Sequence, residues 1–148
     1  MNLHFYIIDN NNLSRLAYDL VLKNFDTEIE VTGFNDTKIA LNDLIANCWS
    51  RDGMPDVLVL DLQMPDESGW KFLDELAIIQ ANLPHPIPVY LISSSMDKTD
   101  IEKGMHHPFV KKYIQKSVAN EQLKDFLQEL ISENIASGLS QAVWLHLL

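Results

Sequence analysis

The sequence predicts an α/β fold: a doubly wound, five-stranded parallel sheet with helices on both faces. Two observations predict it. Short apolar, β-branched and aromatic stretches alternate five times with segments whose apolar residues recur at helical spacing, the pattern of consecutive strand–helix–strand units. The stretch Val57 to Leu60 is apolar throughout rather than alternating, which suits a strand covered on both faces. Right-handed crossovers then leave few topologies.

Leu3 to Ile8 reads as the first strand, and Asp9-Asn10-Asn11-Asn12 breaks it while supplying N-cap candidates. Leu13, Leu16, Ala17, Leu20 and Val21 give the first helix an apolar face as far as about Asn24. Glu28 to Phe34 alternates and forms the second strand. Asp36 or Thr37 caps a second helix carrying Leu41, Leu44, Ile45, Cys48 and Trp49 on one face, and Asp52-Gly53-Met54-Pro55 is a turn. Val57 to Leu60 is the third strand, ended by Asp61. The loop from Met64 to Gly69 leads to a third helix from about Trp70, with Leu73, Leu76, Ala77 and Ile79 or Gln80 inward; Pro84, His85, Pro86 and Pro88 stop it. Val89 to Ile92 is the fourth strand, Lys98 to Met105 a short helix, and Phe109 to Ile114 a fifth strand interrupted by Lys111-Lys112. The last helix carries Leu123, Phe126, Leu127, Leu130, Ile131 and Ile135. One domain is expected over residues 2–135. Gly138 terminates the last helix, and 136–148 form an apolar C-terminal extension that packs on its own domain or on a partner.

Composition bounds the function. At 148 residues, 47% hydrophobic, the chain has one real core and little room for a second. No apolar run approaches the roughly 20 residues of a membrane helix, so no membrane role is expected. The start, with no basic region and an acid at Asp9, does not read as a signal peptide. A single cysteine excludes a disulfide scaffold and a zinc ribbon, and the cytoplasm is the expected address. Twenty-one acids against eleven bases give a net charge of −10, which suits cations or basic partner surfaces and argues against nucleic acid.

In an open parallel sheet, ligands bind beyond the carboxyl ends of the strands. Asp9-Asn10 follow the first strand, Asp61 the third, Ser93 and Ser94 the fourth, and Lys116 the fifth. Two carboxylates in one crevice attract a divalent cation, and their hard oxygens suit Mg2+, which keeps waters and bridges to phosphate. A carboxylate can also be a nucleophile that forms an aspartyl-phosphate. A lysine and a metal would neutralise the charge on a transferring phosphoryl group, and a serine hydroxyl would bond one of its oxygens.

The segment Leu58-Val-Leu-Asp61-Leu-Gln-Met-Pro65-Asp-Glu-Ser-Gly69 resembles the phospho-acceptor segment of the response-regulator receiver domains of two-component signalling. Ile7-Ile-Asp9-Asn10, Leu91-Ile-Ser93-Ser94 and Tyr113-Ile-Gln-Lys116 follow the same family order, so the resemblance covers about residues 3–131. It implies a flavodoxin-like sheet of strand order 2-1-3-4-5. It implies that Asp61 accepts a phosphoryl group from a histidine kinase or phosphotransfer protein. Asp9, Asn10, Asp61 and the backbone carbonyl of Gln63 would hold Mg2+, with the Gln63 side chain mattering less. Ser93 resembles the switch hydroxyl, with Ser94 beside it; Lys116 resembles the phosphoryl-contacting lysine and Tyr113 the switch aromatic. A downstream protein target is implied, and a homodimer through the face of the fourth helix, fifth strand and fifth helix. No DNA-binding or enzymatic output domain fits in the remaining residues, so the resemblance is to a stand-alone receiver that is not itself an enzyme.

Two positions depart from the family pattern. Asn10 stands where a second acid is usual, and a neutral amide predicts weaker Mg2+ binding. Ser117 stands where a cis proline is usual, and a non-proline cis bond costs about 3 kcal/mol, which predicts a trans bond and a less firmly aimed Lys116. A haloacid-dehalogenase-like phosphatase would need an acid at position 63, where Gln63 stands, and an FMN-binding flavodoxin would need a phosphate-cradling loop in place of Asp9-Asn-Asn. The alternative is a receiver-like interaction module that is not phosphorylated. His106-His107 read as solvated loop histidines, Cys48 as a buried small hydrophobe, Trp70 as a packing residue, and Lys111-Lys112 as an edge feature.

Overall fold

A computed structural model describes residues 3–26, 28–48, 53–65, 68–83, 86–116 and 123–134. The chain forms two units, Met1–Lys116 and Ser117–Leu148. The first contains β1 (His4–Ile8), α1 (Asn12–Phe25), β2 (Glu30–Phe34), α2 (Thr37–Asn47), β3 (Val57–Asp61), α3 (Ser68–Gln80), β4 (Val89–Ser93), α4 (Lys98–Met105) and β5 (Val110–Gln115). All strands pair in parallel in the order β2-β1-β3-β4-β5, the flavodoxin-like arrangement. Every residue of β3 and β4 is buried, as continuous apolar strands in the middle of a doubly covered sheet must be.

The edges are marked in the sequence. In β2 only Phe34 is buried. In β5 the register with β4 slips between Val89 and Tyr90, which pair with Val110 and Lys112; Lys111 is the extra, exposed residue. The Lys111-Lys112 interruption is therefore a bulge on an edge strand.

Helix starts follow the polar caps. Asn11 Oδ1 accepts from Leu13 N and Ser14 N, Asp36 from Lys38 N, and Asp97 from Thr99 N. Such caps contribute about 1 kcal/mol each. The exit of α3 is tied by Gln80, buried, whose side chain donates to Ile87 O and accepts from Ile87 N, both at 2.7 Å.

The inward face of α1 differs from the expected one. Tyr18 and Leu22 are buried, whereas Leu13 is 76%, Leu16 53% and Leu20 55% exposed. At roughly 100° per residue the two stripes lie on nearly opposite sides of the helix. Apolar spacing alone selected the stripe richer in leucine; the sheet took the one that carries the larger aromatic side chain. In α2, Thr37, Ala40 and Leu44 are buried, while Ile45 faces out and Cys48 is half-buried rather than buried. α3 begins at Ser68, before Trp70, and adds Phe72 to the core beside Leu73 and Leu76.

In the second unit, residues 123–134 are helical, with Leu127, Leu130 and Ile131 buried at helical spacing. Trp49, Ser117, Ile135, Gly138 and the 136–148 extension lie outside the described residues. Among the described residues no helix is long and apolar enough to cross a membrane.

Candidate functional site

The sheet register gathers the strand ends. Ile8 pairs with Leu60, so Asp9 and Asp61 emerge side by side from the two adjacent central strands. Leu62 N donates to Ile92 O at 2.9 Å and Lys116 N to Ser93 O at 2.7 Å, which carries the ladder past the strand ends and sets Lys116 above the same rim. Gly69 lets α3 close over it: a Cβ there would lie 3.0 Å from Leu62 Cα and O and 3.1 Å from Asp61 O.

Lys116 Nζ donates to Asp61 Oδ2 at 2.8 Å and to Asp9 Oδ2 at 3.0 Å. The other oxygen of each carboxylate closes the loop that follows it. Asp9 Oδ1 accepts from Asn11 N at 2.9 Å, and Asp61 Oδ1 accepts from Gln63 N at 2.8 Å. Both acids are nearly sealed, Asp9 at 1% and Asp61 at 3% exposure, while Lys116 is half-buried.

Charge is strained at this point. Burial raises the Asp9 carboxyl above its ordinary range, and the Asp61 charge adds to the rise, against the lowering bonds from Asn11 N–H and Lys116. Burial alone would lower Lys116; its bonds to Asp61 and Asp9, and their charges, outweigh that and raise it. The Tyr18 phenol is raised by burial and then by the charges of Asp9 and Asp61, so α1 feels the same acidic field.

The serines and the tyrosine form a second layer. Ser93 is buried, and its hydroxyl accepts from Ser95 N at 3.1 Å. Ser94 is exposed and its hydroxyl donates to the Gln63 side-chain oxygen. The Gln63 side chain, expected to matter less than its carbonyl, thus joins the loops after β3 and β4. Tyr113 donates to Ser95 O at 2.8 Å, with its ring beside Gly104, where a Cβ would sit 3.2 Å from Tyr113 Cδ2 and 2.7 Å from Leu91 Cδ1. Asn10 lies exposed in the loop between Asp9 and Asn11.

Sequence reasoning missed two residues here. Ser95 links Ser93 to Tyr113, and its hydroxyl also donates to Asp100 Oδ2 at 2.8 Å and accepts from Asp97 N at 3.3 Å. In a run of three serines nothing distinguishes it. Arg15 donates through Nη1 to Asp9 O at 2.5 Å and through Nη2 to Asn12 Oδ1. It had a signal: it is the sole Lys or Arg before Lys23.

The oxygen donors suit a hard cation. Asp9 and Asp61 carboxylates, the Asn10 amide and the Gln63 carbonyl are the ligand types magnesium takes. Among the described residues no three His, Cys, Asp or Glu cluster, so the donor set has two charges only, the consequence of Asn10. Elsewhere, His107 is half-buried rather than solvated, 3.6 Å from Asp74 Oδ1 and tilted on Phe109. Trp70 packs at the core edge with Lys103 Nζ 4.2 Å from its ring centroid.

The profile of the response regulator receiver domain family matches residues 5–128. Protein-glutamate methylesterase/protein-glutamine glutaminase 3 of Leptospira interrogans is 31% identical over 93 residues, 63% of this chain and 24% of that protein. Two-component response regulator ARR18 of Arabidopsis thaliana is 27% identical over 129 residues, 87% of this chain and 18% of that protein. The chain thus spans a quarter or less of the length of these relatives, and the match to the methylesterase covers only that share of the enzyme. The phosphorylated cyanobacterial phytochrome response regulator RcpA superposes with a TM-score of 0.75 at 24% identity, covering 93% of this chain and 96% of that one. The Mn2+-bound form of response regulator Rcp1 gives 0.69 at 22% identity, covering 88% and 92%. With the sheet order, the strand-end acids and the lysine already in hand, the match over residues 5–128 settles the family: the chain belongs to the response regulator receiver domains.

Proposed function

We propose that the chain works as a phosphorylation-operated receiver. Asp61 accepts a phosphoryl group from a histidine kinase or phosphotransfer protein, and the phosphorylated chain signals through contact with a downstream protein. The observation that carries this reading is the Lys116 ammonium shared by Asp61 and Asp9 at 2.8 and 3.0 Å.

A carboxylate held on one oxygen by a backbone N–H and on the other by a cation is oriented for attack. One Asp61 oxygen forms the new O–P bond as the P–N bond to the donor histidine breaks, and the electron pair leaves on the donor imidazole, which takes up a proton. Lys116 neutralises charge on the transferring oxygens. The Ser93 hydroxyl, whose lone pair holds Ser95 N–H, keeps its own proton for a phosphoryl oxygen. Mg2+ bound through Asp9, Asn10, Asp61 and the Gln63 carbonyl would supply further charge neutralisation. Ser93, through Ser95, then transmits the change to Asp100 on α4 and to Tyr113 on β5.

Acetyl phosphate with Mg2+ is expected to add one phosphoryl group to the wild type, by intact mass, and none to Asp61→Asn. Sizing chromatography with and without beryllofluoride tests a phosphorylation-dependent homodimer. A second reading, an interaction module that is not phosphorylated, is favoured by Asn10 and the two-carboxylate donor set. No mass gain at high magnesium would establish it.

A further inference from the structure

Asn10 is the weak point of the cation side of the site, and the structure holds it from both directions. The peptide that follows it is fixed because Asn11 N donates to Asp9 Oδ1 at 2.9 Å. The peptide that precedes it is fixed because its carbonyl, Asp9 O, accepts from Arg15 Nη1 at 2.5 Å. A peptide is planar, so a bond to its carbonyl sets the direction in which the next residue leaves. The second arm of the same guanidinium holds the Asn12 side chain in the first turn of α1.

Arg15 can reach this position because β2 carries a glycine beside the end of β1. Gly33 pairs with Ile7, and a Cβ on Gly33 would lie 3.2 Å from Arg15 Cδ and 3.6 Å from its Nε. The arginine stem therefore lies across bare backbone; a methyl there would make it give by a few tenths of an ångström, and a larger side chain would occupy its place. Arg15, Gly33 and the Asp9–Asn10 peptide form one clamp across β1, β2 and α1.

We infer that Arg15, seated over Gly33, is a positioning residue for metal binding, holding the Asp9–Asn10 peptide so that the neutral Asn10 amide serves as a cation donor. The inference rests on the metal-assisted reading above and adds a residue to it. A guanidinium close to a dication repels it, so charge alone predicts that removing Arg15 tightens cation binding. Positioning predicts the reverse, because an uncharged ligand that wanders contributes little, and outer partners of metal ligands govern affinity strongly.

The test is Mn2+ titration of the full chain, with free manganese read by electron paramagnetic resonance, and thermal melts to confirm folding. Wild type is expected to bind, and Arg15→Met to bind roughly tenfold more weakly. Gly33→Val keeps the arginine charge and puts a branched side chain where its stem lies; it is expected to weaken binding in the same direction, and it carries the test should Arg15→Met not fold. In an Asn10→Ala background, Arg15→Met is expected to cause no further loss, which a general structural role would not produce. Unchanged or tighter binding by Arg15→Met or Gly33→Val, beside a binding wild type, overturns the inference alone. If wild type and Asn10→Asp both fail to bind manganese, the metal-assisted reading falls and the inference with it.

Discussion

Lys116 donates to Asp61 at 2.8 Å across 55 residues of sequence. The same ammonium reaches Asp9, so one cation balances two carboxylates that are almost wholly withdrawn from water. Removing it leaves two buried like charges facing each other. Lys116→Met is expected to destabilise the fold by about 2 kcal/mol at pH 7, below the full cost of breaking a sealed pair because Lys116 is only half-buried. In that variant a carboxyl binds a proton more tightly folded than unfolded, so the loss should shrink as pH falls toward the carboxylate range. Urea unfolding at pH 7 and at acid pH measures both.

Asp9 gives a prediction of opposite direction. Its carboxyl is raised by burial and by Asp61. A raised acid holds its proton in the folded state at pH values where the unfolded chain has released it. Between the unfolded value and the raised folded one, stability therefore falls as pH increases, and above both the ionised Asp9 is a net cost. Asp9→Asn removes that cost and leaves Lys116 its bond to Asp61. The variant should melt above wild type at pH 7, with the gain diminishing as pH is lowered. A lower melting temperature at pH 7 would show that the Lys116 bond outweighs the burial of Asp9.

α1 separates what periodicity reads from what the sheet selects. Leu22→Ala, at a sealed position, is expected to cost about 3 kcal/mol, whereas Leu16→Ala should stay within about 0.5 kcal/mol. Chemical denaturation of the two variants side by side decides it. The sequence expectation named Leu16 and omitted Leu22, because leucine, alanine and valine at 13, 16, 17, 20 and 21 make the denser apolar pattern.

The strand order, the caps at Asn11 and Asp36, and the meeting of Asp9, Asp61 and Lys116 were legible because each follows from a local rule: apolar runs form strands, polar residues cap helices, and parallel strands align their carboxyl ends. The Lys111-Lys112 interruption read as an edge feature, and the pairing register adds that it is a bulge. Arg15, Ser95 and the Gln63 side chain were not legible. Their roles come from partners that other segments present, Asp9 O for Arg15, the Ser94 hydroxyl for Gln63, and the Ser93 and Tyr113 hydroxyls for Ser95, and no residue-type pattern encodes which group a loop turns toward which.

Tyr113 and Ser95 test how a change at the site divides between β5 and α4. Its hydroxyl bonds Ser95 O, Ser95 N bonds the Ser93 hydroxyl, and the Ser95 hydroxyl bonds Asp100 on α4. Tyr113→Phe deletes one hydrogen bond while keeping the ring beside Gly104, so its stability cost should be modest, about 1 kcal/mol. Its larger effect is expected on coupling. With Ser95 released at its carbonyl, a change at Ser93 no longer has a fixed route to the Tyr113 ring, while its route to Asp100 through the Ser95 hydroxyl survives. Beryllofluoride should then shift the α4 amide resonances of Tyr113→Phe nearly as in wild type, and those of β5 much less. In Ser95→Ala, which keeps the carbonyl and loses the hydroxyl, the pattern should invert, with β5 responding and α4 muted. Equal responses of both elements in both variants would mean that Ser95 is not the junction.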